Sequence, residues 1–512
     1  MNSRKKNTKR NMITGLIYRF ITIVFPFIIR TIIIYVLGEK YLGLTSLFTS
    51  ILQVLNMAEM GFSTAIIFQM YKPIADDNIK EVNKLLNYYK KIYRTIGFII
   101  LAIGIVILPF ISYFINGDVP SNINIYYLYI LYLLDSVVSY FLFAYKSSLL
   151  NAVQRLDIVN IIQSLTVVIK YTLQIIAVTV FKNFYTFVVI SIVLNCINNL
   201  IIGFVSKIKY SQYYCDGEIS KKEKKNIKNQ VVGLLIGKLS DTSRNSFDSI
   251  IISTFLGLTT VAIYNNYYYI FNAVYLIILV ITSSMQSSIG NSIAIESVKK
   301  NYNDFLKFQY LFMIITNFCC TSLITMYQPF MKLWVGDKLL LNETSMILFV
   351  LYFYLLNINN VKNLYFTGNG LWWKSKKAFI FEAVSNLILN FVLGYLFGIN
   401  GVIVATILTI LIYNFIWRTN ILFDSYFKIS SKEFYLKTFY YSIIVFFSCT
   451  VSYLSSNLFS LNFILRIIQC IFLPNILFIL FTFKSSEFNL SIKFALDLVK
   501  KNELKKDGEG NA

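Results

Sequence analysis

The sequence contains no histidine, few charged residues and only scattered cysteines. Because there is no histidine among the 512 residues, histidine-based catalysis, histidine metal ligands and histidine pH sensing are excluded. The six cysteines form no CxxC spacing, so neither a zinc site nor a disulfide framework is indicated, and we expect no metal and no cofactor. Charged residues make up only 14% of the chain, whereas soluble domains contain about 25%. The chain is therefore outside the soluble globular class.

Long apolar runs fill most of the sequence, and hydrophobic residues reach 56%. The runs recur every ~25–30 residues, and each is long enough to cross a ~30 Å hydrocarbon core as a helix. This pattern predicts an all-α polytopic membrane protein. We place about fourteen spans at residues 12–37, 43–70, 93–115, 124–147, 158–180, 185–206, 231–255, 260–290, 308–328, 344–367, 378–397, 400–422, 434–456 and 461–483.

The basic residues have a strongly uneven distribution between alternate loops. Of 47 Lys and Arg residues, 36 fall in segments on the side of the N-terminus, and the opposite loops contain only Lys40, Lys182, Lys332 and Lys338. The positive-inside rule then predicts that both termini are cytoplasmic. No basic stretch alternates with stacking aromatics on a soluble domain, so the net charge of +22 does not indicate a nucleic-acid partner. The first apolar run is too long for a signal peptide, and we interpret it as an uncleaved helix.

The longest polar connection, residues 207–230, divides the first twelve spans into two halves of similar length. An offset of about 219 residues aligns Arg19 with Lys238, which is a weak internal repeat of the parallel kind. We therefore predict two pseudo-symmetric six-helix lobes plus two C-terminal helices. The predicted parts are an N-lobe at 1–206, a basic cytoplasmic linker at 207–230, a C-lobe at 231–423, an additional helix pair at 424–483 and a cytoplasmic tail at 484–512.

Seven basic residues lie five or more positions from the ends of predicted spans: Arg19, Arg30, Lys170, Lys238, Arg244, Lys362 and Arg466. A charge at bilayer depth costs at least ~2.5–3.5 kcal/mol, so it is retained for a reason. All except Arg466, which belongs to the appended helices, are candidate lining residues of a positively charged cavity that binds an anionic cargo. Arginine suits phosphate because its guanidinium group binds two oxygens at once. The alternative for Arg19 and Lys362, near inner helix ends, is snorkelling to the headgroups.

Polar and acidic residues at the same depth are candidates for ion coupling or for polar cavity lining. They are Glu59, Asp241, Asp248, Glu382 and Asn386. In span seven, the Lys238–Asp241 and Arg244–Asp248 spacings also permit intrahelical ion pairs. The alternative there is a structural charge network that holds the two halves together, or a helix that protrudes into the cytoplasm. Interhelical hydrogen bonding is the favoured interpretation of Asp135.

Several segments resemble a known family of exporters. They are NMITG at 11–15 leading to Arg30, LGEKYLGLTSLFTSILQVLNMAEMGFSTAI at 37–66, LWVG at 333–336, EAVSNLILNFVLG at 382–394 and FGINGVIVATIL at 397–408. In these the chain resembles the polysaccharide repeat-unit (O-antigen or capsule, Wzx-type) flippases of the MATE/MOP exporter superfamily. The motifs are loose and mostly structural, so they indicate the superfamily better than the cargo.

The resemblance implies two lobes around a cavity that opens alternately to each side of a bacterial cytoplasmic membrane. The implied cargo is an undecaprenyl-diphosphate-linked oligosaccharide, moved from the inner to the outer leaflet, with coupling to Na⁺, H⁺ or the membrane potential. Other polysaccharide-assembly membrane proteins are implied partners. A small-molecule or drug exporter and a peptidoglycan-precursor flippase are alternatives. A membrane polymerase or glycosyltransferase is less favoured, since the predicted outer loops are short, and we expect no enzymatic activity.

Overall fold

The computed structural model describes residues 2–59 and 61–493, with side chains given except at 2–9, 58, 233, 234, 236, 239–241 and 245. Within those two ranges the regular structure is entirely helical. The prediction of an all-α polytopic membrane protein is therefore confirmed. The predicted tail at 484–512 lies outside the described residues from position 494 onward.

The chain forms two compact units, Met1–Asn265 and Asn266–Ala512. The helices within the first are α1 Asn2–Val36, α2 Glu39–Leu55, α3 Phe62–Ala75, α4 Ile79–Ile107, α5 Ile125–Phe141, α6 Tyr145–Ala152, α7 Leu156–Thr179, α8 Phe184–Lys209 and α9 Lys221–Leu256. Helix α10, Leu258–Ile295, begins in the first unit and continues into the second. The remaining helices are α11 Val298–Val335, α12 Glu343–Ile358, α13 Asn360–Gly368, α14 Lys376–Thr409, α15 Arg418–Leu422, α16 Lys432–Leu458 and α17 Phe463–Thr482, with π-helical turns at Ile410–Trp417 and Phe423–Phe427.

Each predicted span coincides with helical structure, but not every one is independently long and apolar enough to cross a bilayer. Among the described residues, ten helical segments meet that condition, or eleven if α5 and α6, which meet at a 49° bend, form one span. Predicted spans eleven and twelve appear as one segment, Lys376–Phe427. Gly398, with φ 59°, interrupts it at the predicted loop. The count of fourteen spans stays a prediction.

The predicted second span, 43–70, is broken in the middle. A 3₁₀ turn at Asn56–Glu59 separates α2 from α3, and Gly61 follows with φ 115°, a conformation that glycine adopts most easily. Asn56 lies at the break, where its side chain exchanges hydrogen bonds of 3.0 and 3.1 Å with the Ser136 hydroxyl of α5. An interhelical hydrogen bond of this kind stabilises a helix interruption inside an apolar segment.

The predicted linker is partly helical. Helix α9 begins at Lys221, ten residues before the predicted start of span seven, because Ser220 and Glu223 form a reciprocal capping box. The Ser220 hydroxyl accepts from the Glu223 amide at 3.2 Å, and the Glu223 carboxylate accepts from the Ser220 amide at 2.7 Å. These hydrogen bonds hold the pKa of the Glu223 carboxyl below its usual value. Helix α9 packs against α2 and α3 within the first unit. The predicted lobe boundaries stay a prediction.

A close helix contact in the first unit depends on one glycine. Gly43 of α2 lies against the backbone of Leu258, the first residue of α10, and a Cβ atom at Gly43 would fall well inside contact distance of the Leu258 carbonyl. Small residues permit backbones to approach in this way in membrane proteins. The glycine is thus required by packing and not by its backbone dihedral angles.

We expect Gly43→Ala to lower the thermal unfolding midpoint of the purified protein, because backbone atoms on both sides must move apart. Overpacking of this kind costs roughly 1–3 kcal/mol. The matched control is Gly290→Ala in α10, where an added Cβ meets nothing within 4 Å. Helix propensity favours alanine at both sites by about 1 kcal/mol. Equal midpoints for the two variants would contradict the proposed packing role.

Candidate functional site

Helices α1 and α7 of the first unit pack side by side in a fixed parallel register. Three contacts define it: an Arg10–Asp157 ion pair at 2.7 Å, a 3.3 Å hydrogen bond from the Asn160 amide to the Thr14 hydroxyl, and stacked Phe25 and Tyr171 rings 5.9 Å apart. The partners differ by 146 or 147 positions in every case. A constant offset means that the two helices run in the same direction without slipping.

This register places three of the predicted cavity residues at successive levels. With an offset of 146, Lys170 of α7 lies level with Val24 of α1. Arg19 is then about 7.5 Å to one side along the helix axis, and Arg30 about 9 Å to the other side, at about 1.5 Å rise per residue. The Arg19 side chain is exposed, whereas Lys170 and Arg30 are half-buried. We call Arg19, Lys170 and Arg30 the cation ladder.

The middle cation of the ladder has a carboxylate near it. Lys170 interacts electrostatically with Asp135 of α5, which also accepts a 2.5 Å hydrogen bond from the Asn195 amide of α8. The Lys170 ammonium also lies 4.9 Å from the centre of the Tyr171 ring. Asp135 therefore takes part in interhelical hydrogen bonding, as the sequence favoured, and it also partly neutralises Lys170.

The predicted polar face of the seventh span is divided in the structure. Arg244 and Asp248 are almost fully buried in the first unit, and the Asp248 carboxylate accepts a 2.6 Å hydrogen bond from the Tyr264 hydroxyl of α10. Lys238 is exposed. The side chain of Asp241 lies outside the described part of the chain. Burial of Arg244 and Asp248 agrees with the structural-network alternative, and their cavity role stays a prediction.

Glu59 occupies the break between α2 and α3. Its carboxylate accepts hydrogen bonds from the phenols of Tyr93 on α4 and Tyr140 on α5, the second at 2.5 Å. The Tyr140 hydroxyl also approaches the Asn56 amide oxygen at 3.3 Å. A carboxylate at a helix interruption, surrounded by other oxygen atoms, has the chemistry to bind a proton or a small cation.

In the second unit, the predicted cavity residue Lys362 is completely enclosed. Its side chain is 0% exposed, and its ammonium donates to the Asn359 side chain at 2.7 Å and to the Asn414 backbone and side-chain oxygens, both at 2.5 Å. A lysine has three donor hydrogens, and these contacts use all of them. The snorkelling alternative is not what the structure shows. The predicted cargo contact remains a prediction and would require these hydrogen bonds to exchange.

Glu382 and Asn386 belong to the same buried polar region of the second unit. The Glu382 carboxylate, 0% exposed, accepts a 2.6 Å hydrogen bond from the Arg418 guanidinium of α15. Asn386, one turn along α14, donates to the hydroxyls of Thr406 and Thr409 at 3.2 and 3.5 Å. Both residues thus form structural contacts, and their predicted coupling or lining role stays a prediction.

Arg418 is the functional candidate that sequence reasoning missed. It lies inside the predicted twelfth span but only four positions from its end, so it is counted with the loop residues on the side of the N-terminus. Its guanidinium pairs with Glu382 and lies 4.3 Å from the centre of the Phe379 ring. Arg466, in contrast, donates to backbone oxygens of Leu461, Ser456 and Thr325, consistent with its exclusion from the predicted site.

The fold is similar to that of several solved transporters. The lipid II flippase MurJ in its inward closed conformation matches with a TM-score of 0.66 and 17% identity over 95% of this chain and 100% of that chain. An outward-facing multidrug resistance MATE family transporter of the MOP superfamily matches with a TM-score of 0.55 and 16% identity, over 83% and 97% of the two chains. A MOP superfamily transporter from Pyrococcus furiosus, described as having a binding pocket of reverse polarity, gives 0.54 and 14%, over 83% and 97%.

Sequence comparison adds an independent finding. The family model described as "Polysaccharide biosynthesis protein" matches residues 8–286, which is more than half of the chain. No curated protein sequence matches the chain significantly. At 14–17% identity the structural similarity shows the fold alone. The predicted resemblance to MATE/MOP transporters is thus confirmed in the fold, and the three solved proteins named above are a flippase and two transporters.

We expect Arg418→Met to destabilise the protein strongly, because it leaves the Glu382 carboxylate buried without its partner. Breaking a buried ion pair on one side typically costs roughly 3–5 kcal/mol, whereas replacing both partners is much less harmful. The measurement is the thermal unfolding midpoint of Arg418→Met, Glu382→Gln and the double variant. Additive losses in the double variant would contradict direct coupling between the two side chains.

Proposed function

Since the chain belongs to the polysaccharide biosynthesis protein family, we propose that it is a flippase that moves a lipid-linked oligosaccharide across a membrane. The family name points to polysaccharide as the product to which this protein contributes. The fold is similar to that of a flippase and a transporter. The proposed cargo is an undecaprenyl-diphosphate-linked repeat unit, moved from the inner to the outer leaflet by alternating access. The proposed location is a bacterial cytoplasmic membrane, with both termini cytoplasmic.

The observation that supports an anionic cargo is the cation ladder. Arg19, Lys170 and Arg30 lie at successive levels along one helix pair, so a diphosphate would leave one cation only as it approaches the next. Arginine at both ends binds phosphate oxygens in pairs, and the lysine between them acts as a point charge. The Asp135 carboxylate, which interacts electrostatically with Lys170, would lower the affinity of the middle position for the diphosphate. The cargo would then not bind too tightly there to be released. A carrier requires this, since cargo must also be released.

The coupling site that we propose is Glu59. It lies at the α2–α3 interruption, where the helix is broken in the first unit. Binding of H⁺ or Na⁺ would weaken its hydrogen bonds from Tyr93 and Tyr140, and would thereby alter the contacts of the broken helix with α4 and α5. Ion binding at the Glu59 carboxylate would thus act directly on the contacts of the broken helix α2–α3.

A peptidoglycan-precursor flippase is the second candidate. The match to MurJ extends over 95% of this chain, whereas the matches to the MATE and Pyrococcus furiosus transporters extend over 83%. Both cargo classes contain a lipid diphosphate and would use the same cation ladder. They differ in the sugar portion, so the experiment must present both.

The test is translocation in proteoliposomes that contain the purified protein and a fluorescent lipid-diphosphate oligosaccharide. Parallel vesicles contain a lipid-diphosphate muropeptide, and a third set reports export of an organic cation. Protein-dependent movement of the oligosaccharide lipid supports the proposal. Movement of the muropeptide lipid alone assigns the second candidate, and organic cation export without lipid movement assigns the drug-exporter alternative.

We expect Arg30→Ala to reduce oligosaccharide-lipid translocation by at least about tenfold at low cargo concentration. A hydrogen bond to a charged group contributes roughly 1.5–3 kcal/mol, and about 1.4 kcal/mol corresponds to a factor of ten. Lys338→Ala removes an equal charge from an exposed position of an outer-loop segment and is the matched control. Unchanged transport by Arg30→Ala, at normal membrane insertion, would remove Arg30 from the cargo path.

We expect Glu59→Gln to abolish stimulation of transport by an imposed H⁺ or Na⁺ gradient while leaving slow downhill exchange of cargo. The amide keeps the size of the side chain and its acceptor oxygen but has no titratable charge. Transport is measured with no gradient, with a pH gradient and with a Na⁺ gradient. The control is Asp118→Asn, an exposed carboxylate in the α4–α5 connection. Full gradient stimulation in Glu59→Gln would place coupling elsewhere.

A further inference from the structure

A basic cavity in the first unit lies apart from the cation ladder. Its volume is about 810 Å³, within the range of ligand pockets. Three lysines from three different helices line it: Lys90 of α4, Lys146 of α6 and Lys207 of α8. None of its described lining residues is acidic. Among its described lining residues, the cavity therefore has three basic side chains and no carboxylate.

Lys146 is the best-defined group in this cavity. Its side chain is only 8% exposed, and its ammonium donates one hydrogen bond, at 3.0 Å, to the Tyr213 backbone carbonyl. Within the described part of the chain this is its single hydrogen-bond acceptor, so two donor hydrogens remain for a ligand. Lys90 is near enough to repel the Lys146 charge. An anion bound between them would relieve that repulsion and use the remaining donors.

The other wall of the cavity is apolar and open. Phe143, Leu200 and Phe204 line it, and they are 42%, 47% and 66% exposed. In a membrane protein, exposed apolar side chains on a spanning helix face the acyl chains. Tyr214, 57% exposed, also lines the cavity, and tyrosines are common at the membrane interface. The lining thus combines three lysines with exposed apolar side chains.

We propose that this cavity binds the headgroup of an anionic phospholipid from the surrounding bilayer, with one acyl chain along Phe143 and Phe204. Basic pockets between membrane helices recognise such headgroups by charge. A free phosphate would use the lysines but not the apolar wall, whereas a zwitterionic lipid would use the wall but would bring its own cation towards the lysines. The combination favours the anionic lipid over both.

The test measures lipid retention and not transport, so it is independent of the proposed flippase activity. Full-length protein in detergent is incubated with phosphatidylglycerol or with phosphatidylcholine of the same chain length, and lipids that stay bound are counted by native mass spectrometry. A third arm adds inorganic phosphate to the phosphatidylglycerol sample. We expect preferential retention of phosphatidylglycerol, with no competition by millimolar phosphate.

The informative variant is Lys90→Gln combined with Lys207→Gln, because it leaves the Lys146–Tyr213 hydrogen bond in place. We expect it to weaken phosphatidylglycerol retention roughly tenfold, because each lysine near an anionic headgroup contributes to the binding free energy of the lipid. Lys221→Gln with Lys222→Gln, both exposed in the first turn of α9, removes the same charge elsewhere and is the matched control. Unchanged thermal unfolding shows that the variants are folded.

Three outcomes would overturn the proposal. Equal retention of phosphatidylglycerol and phosphatidylcholine would show that charge is not recognised. Equal loss in the control variant would show that general surface charge attracts the lipid. Competition by millimolar phosphate would show a soluble-anion site instead. Retention that is selective, and lost in the cavity variant alone, supports the assignment.

Discussion

Hydrocarbon offers no hydrogen-bond partners, so polar groups in an apolar helix must be satisfied by the protein itself. This requirement explains the hydrogen bonds found in the described structure where a helix is interrupted or carries a buried charge. At the α2–α3 interruption, Asn56 bonds to Ser136 and Glu59 to two tyrosine hydroxyls. In the buried polar region of the second unit, Lys362 bonds to Asn414 of the π-helical turn and Glu382 pairs with Arg418 of α15. The broken and charged segments are therefore the most strongly constrained ones.

The enclosed charges of the second unit and the cation ladder of the first differ in their exposure. In the second unit, Lys362 uses all three donor hydrogens and Glu382 is paired with Arg418, so the charges connect helices α13, α14 and α15. In the first unit, the cation ladder consists of exposed or half-buried side chains along α1 and α7. A carrier needs charges of both kinds. Enclosed pairs keep helices together during movement, whereas accessible cations exchange their partners with cargo.

The proposed functions of the first unit are consistent with one another. The cation ladder would bind a lipid diphosphate, Glu59 would link an ion gradient to the broken helix, and the lysine-lined cavity would hold a bilayer lipid. Each uses charge at a place where the surrounding residues are apolar, and there the electrostatic interaction is less screened than in water. The chain belongs to the polysaccharide biosynthesis family. The lipid-diphosphate cargo that we propose on that basis explains why three cations lie along one helix pair.

Composition and spacing alone determined the helical membrane class, because a ~30 Å hydrocarbon layer demands apolar runs of matching length. They also selected the charges at depth, since a buried charge is conspicuous in an apolar run. The same rule did not select Arg418, which lies only four positions from the end of a predicted span. Only the tertiary structure decided which charges are enclosed and which are accessible. Helical periodicity fixes the face on which Lys362 or Arg30 lies, but whether that face meets Asn414, a neighbouring helix or open space depends on packing between segments distant in sequence.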